Sequence, residues 1–225
     1  MATIVTISRQ FGCGGAWVGR ALAQQLGFQY ADREILAAAA QELKVHPTVI
    51  EDMEERVSSI WGRIGQLFAL GAPDTPFIPP TLPSVSESKL FEVQKQVIKS
   101  LAAHGNAVIV GRGAPHIIGN SADVLRVFLH APLQDRVTLA MTEYGFTDRD
   151  EAEAVVRESD SARANFVKTL TRKHWCDASL YHVALDTSVV GLERTVEILV
   201  DLVKRAPAQP LPPMMPRTAA DRDAK

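Results

Sequence analysis

Apolar, mostly β-branched residues run from Thr3 to Ser8 (TIVTIS) and stop at Arg9, the pattern of a strand buried on both faces. Gly12, Gly14 and Gly15 follow. From Trp17 to Leu26 the apolar residues return at helical spacing, Val18, Leu22 and Leu26, until Gly27 ends the helix. The chain therefore opens strand, glycine turn, helix. A short strand is expected at Phe28 to Tyr30, then a helix capped by Asp32 that runs through Ile35 and Leu36 to Leu43. His46-Pro47 breaks it. Thr48 to Leu70 reads as helical, and Gly71 to Pro83, with Pro73, Pro76, Pro79, Pro80 and Pro83, as a loop. A loop of that length inside a domain is usually functional or disordered.

The second half repeats the alternation. Leu90, Val93, Val97, Ile98 and Leu101 form one stripe of a helix over Ser86 to His104, which Ser86 or Ser88 could cap and Gly105-Asn106 ends. Ala107 to Val110 (AVIV) is a second buried strand, ending in Gly111-Arg112-Gly113, and Val124 to Leu129 a third. Helices are predicted at Asp135 to Glu143 and Asp148 to Lys168, a last strand at Val183 to Leu185, and a closing amphipathic helix at Gly191 to Lys204. Strands alternating with helices predict an α/β fold, a parallel sheet of about five strands with helices on both faces and right-handed crossovers. The expected organisation is one domain over 1–205, with a helical and proline-rich insert at 45–90 and a lid-like region at 146–180. The proline- and charge-rich tail 206–225 has no apolar face and reads as disordered.

Composition narrows the class. With 225 residues, 46% hydrophobic and 22% charged, the chain can bury a sizeable core without a disulfide or metal staple. A net charge of -2 draws it neither to nucleic acid nor to an acidic membrane, although a local basic pocket could bind phosphate. Cys13 and Cys176 fit no metal motif, and reduced thiols are expected. The N-terminus lacks the pattern of a signal peptide, and no apolar run approaches the ~18 residues of a membrane span, so the expected location is cytoplasmic. His104, His116 and His174 show no metal-ligand spacing.

The candidate chemistry starts at the glycine turn. A strand, a glycine turn and a helix N-terminus make an anion site, because the turn's N–H groups are unpaired, the helix dipole adds positive potential, and glycine lets the backbone approach a phosphate. Ser8, Arg9, Gly12, Cys13, Gly14, Gly15 and Ala16 occupy that place. The alternative is a tight turn that only packs a strand against a helix. The standard phosphate loop, G-x-x-x-x-G-K-[ST], is absent. An ungapped alignment puts Arg9 on the first glycine, Gly14 on the second, Gly15 on the lysine and Ala16 on the hydroxyl residue. The cation must then come from Arg9 or Arg20, and a hydroxyl for a metal from Ser8.

Four segments in order resemble the cytidylate-kinase-like family, P-loop relatives of the bacterial cytidylate kinases. They are ITISRQFGCGG from Ile4; Tyr30-Ala31-Asp32-Arg33-Glu34-Ile35-Leu36; VIVGRGAPHII from Val108; and Lys173-His174-Trp175-Cys176-Asp177-Ala178-Ser179-Leu180-Tyr181, followed by LDTS from Leu185 and Gly191-Leu192-Glu193. The resemblance covers the chain to about Lys204 and implies a three-layer P-loop fold, ATP with Mg2+, and a nucleoside monophosphate, CMP or dCMP, as phosphoryl acceptor. It also implies that Arg112 binds the acceptor phosphate, with Gly113 in place of the aspartate found in cytidylate kinases. Asp160 and Arg163 match the family's D-x-x-R lid element, with Arg172 and Lys173 following. Arginines suit this work because a planar fork binds phosphate oxygens in pairs, and phosphoryl transfer needs positioning and charge neutralisation. Arg9, Arg112 and Arg163 are the candidate catalytic residues, and Asp32, Arg33, Arg112 and Asp160 the candidate acceptor contacts.

Each candidate has a structural alternative. Arg112 could pair with Asp32 or Glu34, Asp160 and Arg163 could be a solvated i,i+3 pair, Asp32 could be only a cap, and Trp175 and Tyr181 could be core aromatics. The 48–70 helix is a lid-like or a dimer-facing element, which leaves homo-oligomerisation open. Two other functions stand beside the kinase: a nucleotide-binding or regulatory domain that lost transfer with the lysine, and a kinase for another small acceptor.

Overall fold

The computed structural model describes residues 3–32, 85–111, 113–119 and 123–205. The helices expected beyond Asp32 and over 48–70, the loop 71–83, the tail 206–225, and Arg33 and Arg112 lie outside those residues. Five strands, β1 (Ile4–Arg9), β2 (Gln29–Ala31), β3 (Ala107–Val110), β4 (Val124–His130) and β5 (Val183–Asp186), form one sheet in the order β2-β3-β1-β4-β5. Every neighbouring pair is parallel. The described helices are α1 (Gly15–Leu26), α2 (Val85–His104), α3 (Ala114–Ile118), α4 (Leu133–Tyr144), α5 (Arg149–Thr171), α6 (Thr187–Val190) and α7 (Leu192–Arg205). None of them is long and apolar enough to cross a membrane.

The central strand is β1, and all of its residues are buried. Its odd-numbered apolar residues, Val5 and Ile7, join Val108, Val110, Val127 and Leu129 in a core with Val18 and Leu22 of α1 and Val196, Leu199 and Val203 of α7. Ile4, Ile109 and Val124 face the other way, onto Val97, Ile98 and Leu101 of α2 and Ala114 of α3. A strand covered by helices on both faces has no solvent side, which is why the sequence shows apolar runs rather than alternation. Beyond the sheet, α4 and α5 enclose Phe11 with Val137, Ala140, Ala152 and Val156.

Element ends depart from the sequence pattern where hydrogen bonds outrank side-chain polarity. Arg9 does not stop β1: it pairs with Leu129, and Gln10 N–H donates to Leu129 O at 3.0 Å. The first helix begins at Gly15 rather than Trp17, because Gly14 caps it in the left-handed region. Two of the described α-helices were not predicted. The five residues of α3 are too few for periodicity to register, and α6 starts directly at the end of β5, where Asp186 Oδ1 accepts from Ser188 N–H at 3.0 Å.

Candidate functional site

Parallel strands put the C-terminal ends of β1, β3 and β4 on one edge, the edge where open α/β sheets bind ligands. The glycine turn leaves β1 there. Gly12 and Gly14 adopt φ of 77° and 75°, a region that favours glycine, and a side chain at either would meet a neighbour. A Cβ at Gly12 would meet Arg136 O at 2.5 Å, and one at Gly14 would meet Leu192 Cδ2 at 2.6 Å. The side chains on either side of Gly12, Phe11 and Cys13, turn into the protein. Phe11 is fully buried and stacks on Tyr144 at 5.0 Å between centroids. Cys13 is buried, its thiol 3.2 Å from Gln10 O and 3.6 Å from Leu129 O. With both side chains used as anchors, the turn offers its backbone as its chemistry, directly before the N-terminus of α1.

Arg9 fills the space above the turn. A Cβ at Gly15 would lie 2.5 Å from Arg9 Cγ and 2.8 Å from Arg9 Cβ. At the other end of the side chain, a Cβ at Gly111 would fall on Arg9 Nη1. The arginine therefore runs from the start of α1 across to the end of β3, the residue before Arg112, and is buried. Arg20 does not share this place: it pairs with Asp32 at 3.7 Å and lies 5.5 Å from the centre of the Tyr30 ring. Asp32 is buried at the end of β2, so its carboxylate faces α1.

The lid elements sit against the turn. Asp160 Oδ1 accepts from Phe11 N–H at 2.8 Å, and Asp160 Oδ2 accepts from Arg136 Nη1 at 2.6 Å. Arg163 lies 3.7 Å from Asp160 and 5.6 Å from the centre of the Phe11 ring. The side chains of Arg163 and Asp160 are only 11% and 17% exposed, which corrects the reading of a solvated i,i+3 pair. Asp160, expected at the acceptor, has both oxygens engaged by protein groups. Arg136 was missed from the sequence. It donates from Nε to Ala131 O at 2.9 Å and from Nη1 to Phe11 O at 3.0 Å, besides its bond to Asp160. Its partners are 5, 125 and 24 residues away, so no local pattern announced it. Thr187 lies in the LDTS segment but had no role; its Oγ1 is 3.0 Å from Cys13 O and 3.2 Å from His130 O.

The last family segment packs beside β1 and β4. Trp175 and Tyr181 are buried around Phe128, edge-on at 5.5 Å and stacked at 4.9 Å, and the Tyr181 hydroxyl donates to Trp175 O at 2.9 Å. Burial pushes the Tyr181 phenol up to about 12, against the neighbouring Ser8 hydroxyl. Ser8 is itself buried. Burial also raises the Cys176 thiol, with the Asp160 carboxylate adding to the effect. Among the described residues no group of acidic, histidine and cysteine side chains could hold a metal ion.

The sheet order, the glycine turn between the central strand and α1, and the arginines around it define a P-loop kinase-type fold. The chain belongs to the cytidylate kinase-like family, whose model matches residues 4–189. Among solved structures it is similar to an uncharacterized protein from Eubacterium ventriosum, with a TM-score of 0.66 at 17% identity, over 91% of this chain and 99% of that one. It is also similar to shikimate kinase from Bacteroides thetaiotaomicron, with a TM-score of 0.51 at 17% identity, over 90% and 98%. At such identities the likeness is one of fold. Comparison with curated proteins gave no match. Family and fold together support a nucleotide-kinase-like function.

Proposed function

We propose that the protein transfers the γ-phosphoryl group of ATP to a nucleoside monophosphate, with CMP or dCMP favoured by the family. The observation that carries the reading is the course of Arg9. Its stem occupies the space a side chain at position 15 would need, and its guanidinium lies at the end of β3. In the ungapped alignment position 15 is that of the missing lysine, so Arg9 takes over both the space and the charge. Arg163 is held beside the turn on α5. An arginine at each side of the donor phosphates would neutralise the charge that develops on the transferred group.

The turn fits a triphosphate: its backbone is bare, two of its glycines have positive φ, and a helix N-terminus follows. It offers a metal less. Ala16 has no hydroxyl, and Ser8 carries the nearest side-chain hydroxyl in sequence. Mg2+, which neutralises phosphate charge when bound, would be held here chiefly by phosphate oxygens and water. The chain's own contribution is to bind and orient the donor and to place arginine around it.

A coupled ADP-release assay against a panel of nucleoside monophosphates and small alcohols tests the reading, with Arg9→Ala as the control. A wild-type rate with CMP or dCMP that falls about a hundredfold in Arg9→Ala is expected. The vacant lysine and hydroxyl positions at Gly15 and Ala16 favour one alternative, a nucleotide-binding regulatory domain. Tight nucleotide binding in calorimetry with no ADP released from any acceptor would establish that alternative.

A further inference from the structure

The glycine turn is held from outside, and the contacts that hold it decide which way its amides point. Arg136 Nη1 donates to Phe11 O at 3.0 Å, and Thr187 Oγ1 lies 3.0 Å from Cys13 O. The described peptide bonds are trans, so the N–H of each peptide points opposite to its carbonyl. Tying down Phe11 O turns Gly12 N–H away from Arg136, and tying down Cys13 O turns Gly14 N–H away from Thr187. Phe11 N–H, one peptide earlier, is directed the other way, onto Asp160. Neither Gly12 N–H nor Gly14 N–H has an acceptor among the described residues.

We infer that Arg136, Asp160 and Thr187 are positioning residues that hold the glycine turn in an anion-ready shape, with Gly12 N–H and Gly14 N–H presented to the donor phosphates. The inference rests on reading the turn as the donor-phosphate site, and it moves Asp160 from the acceptor to the donor side. A glycine turn has the most backbone freedom to lose when it binds a ligand, so anchors that restrict it beforehand lower the cost of binding. In an ordinary P-loop the lysine reaches the phosphates from within the loop. Here the restraint comes from three other elements. Arg136 stands on α4 and bonds the β4–α4 turn, the glycine turn and α5 at once. Asp160 stands on α5 and also keeps Arg163 within 3.7 Å, so the turn and the lid arginine share one anchor. Thr187 opens α6, and its one hydroxyl proton, shared between Cys13 O of the turn and His130 O, ties the turn to the end of β4. Arg136 and Thr187 are buried, and neither need touch a substrate.

The test uses Thr187→Val, close in shape but lacking the hydroxyl, with Thr187→Ser as the conservative rescue and Arg136→Lys as a second probe. Calorimetry reads the affinity of the full chain for Mg-ATP and for tripolyphosphate, and the coupled assay reads donor and acceptor KM separately. Thr187→Val is expected to weaken Mg-ATP and tripolyphosphate about tenfold, the equivalent of one hydrogen bond's worth of organisation. Thr187→Ser should recover to within about twofold, and acceptor KM should stay within about twofold of wild type. Wild-type binding of Mg-ATP by Thr187→Val overturns the inference while leaving the kinase reading standing, as does a change confined to acceptor KM. Should Arg136→Lys lose its fold by circular dichroism, the threonine pair decides alone. If the wild-type chain binds neither probe, the donor-phosphate reading itself has failed, and the inference falls with it.

Discussion

Moving the cation from position 9 to position 15 tests whether Arg9 stands in for the phosphate-loop lysine. Gly15→Lys alone should be poorly tolerated. Its backbone is not in the left-handed region, so the obstacle is steric: the new Cβ would lie 2.5 Å from Arg9 Cγ and 2.8 Å from Arg9 Cβ. Those atoms are near the main chain and cannot swing aside as a side-chain tip would. Overpacking of this kind costs about 1–3 kcal/mol, and at ~2–4 °C per kcal/mol for a chain of this size the melting temperature should fall by several degrees. Arg9→Ala removes both the obstacle and the charge, and should lower kcat about a hundredfold. Because Arg9 is buried, it should cost some stability as well. In Arg9→Ala/Gly15→Lys the lysine stem enters the vacated space. The two changes should couple, so that the double variant is more stable than the sum of the singles predicts by about 1–3 kcal/mol, and part of the lost kcat should return. The assays are thermal melting of the four proteins and the coupled ADP-release rate. Strict additivity in melting would refute the packing argument. Recovered stability without recovered rate would leave Arg9's place intact but refute its equivalence to the lysine.

Other outcomes follow from the packing and the titrating groups. Phe11→Ala deletes a fully buried ring that stacks on Tyr144, so it should destabilise by about 3–5 kcal/mol, read as a shift in the urea midpoint; a shift below 1 kcal/mol would show that the α4–α5 pocket closes without it. Burial, then Arg126 and Lys173, lowers the pKa of His116, and burial, then Arg126, lowers that of His182. The unfolded chain therefore takes up these protons first. Their contribution to stability is full above 6.5 and is lost as pH falls from there through the lowered folded values, so the urea midpoint should drop between pH 7.5 and 5.5, and His116→Gln/His182→Gln should flatten that drop. Of the three tyrosines, Tyr181 should ionise only at about 12 in an alkaline absorbance titration, and Tyr181→Phe should remove that step.

The sequence by itself determined the features that depend on neighbours along the chain. The strand–glycine–helix opening was legible because a buried strand, a turn needing positive φ and an amphipathic helix each leave a local pattern. The five strands could be read the same way, with ends that shifted by a residue or so wherever ladder hydrogen bonds continued, as at Arg9. The family motifs placed Arg9, Asp160 and Arg163 near one another in role, although not in geometry. Tertiary structure decided the rest. The order β2-β3-β1-β4-β5 put the ends of β1 and β3 side by side, and only then could Arg9 span from Gly15 to Gly111. Asp160 met Phe11 N–H across 149 residues, and Thr187 met Cys13 O across 174. A carboxylate on a charged helix and a threonine after a strand look ordinary in sequence, because a hydrogen bond depends on distance in space and leaves no periodicity behind. The main-chain carbonyls that Arg136 and Thr187 tie down are present at every residue, so their selection could come only from the fold.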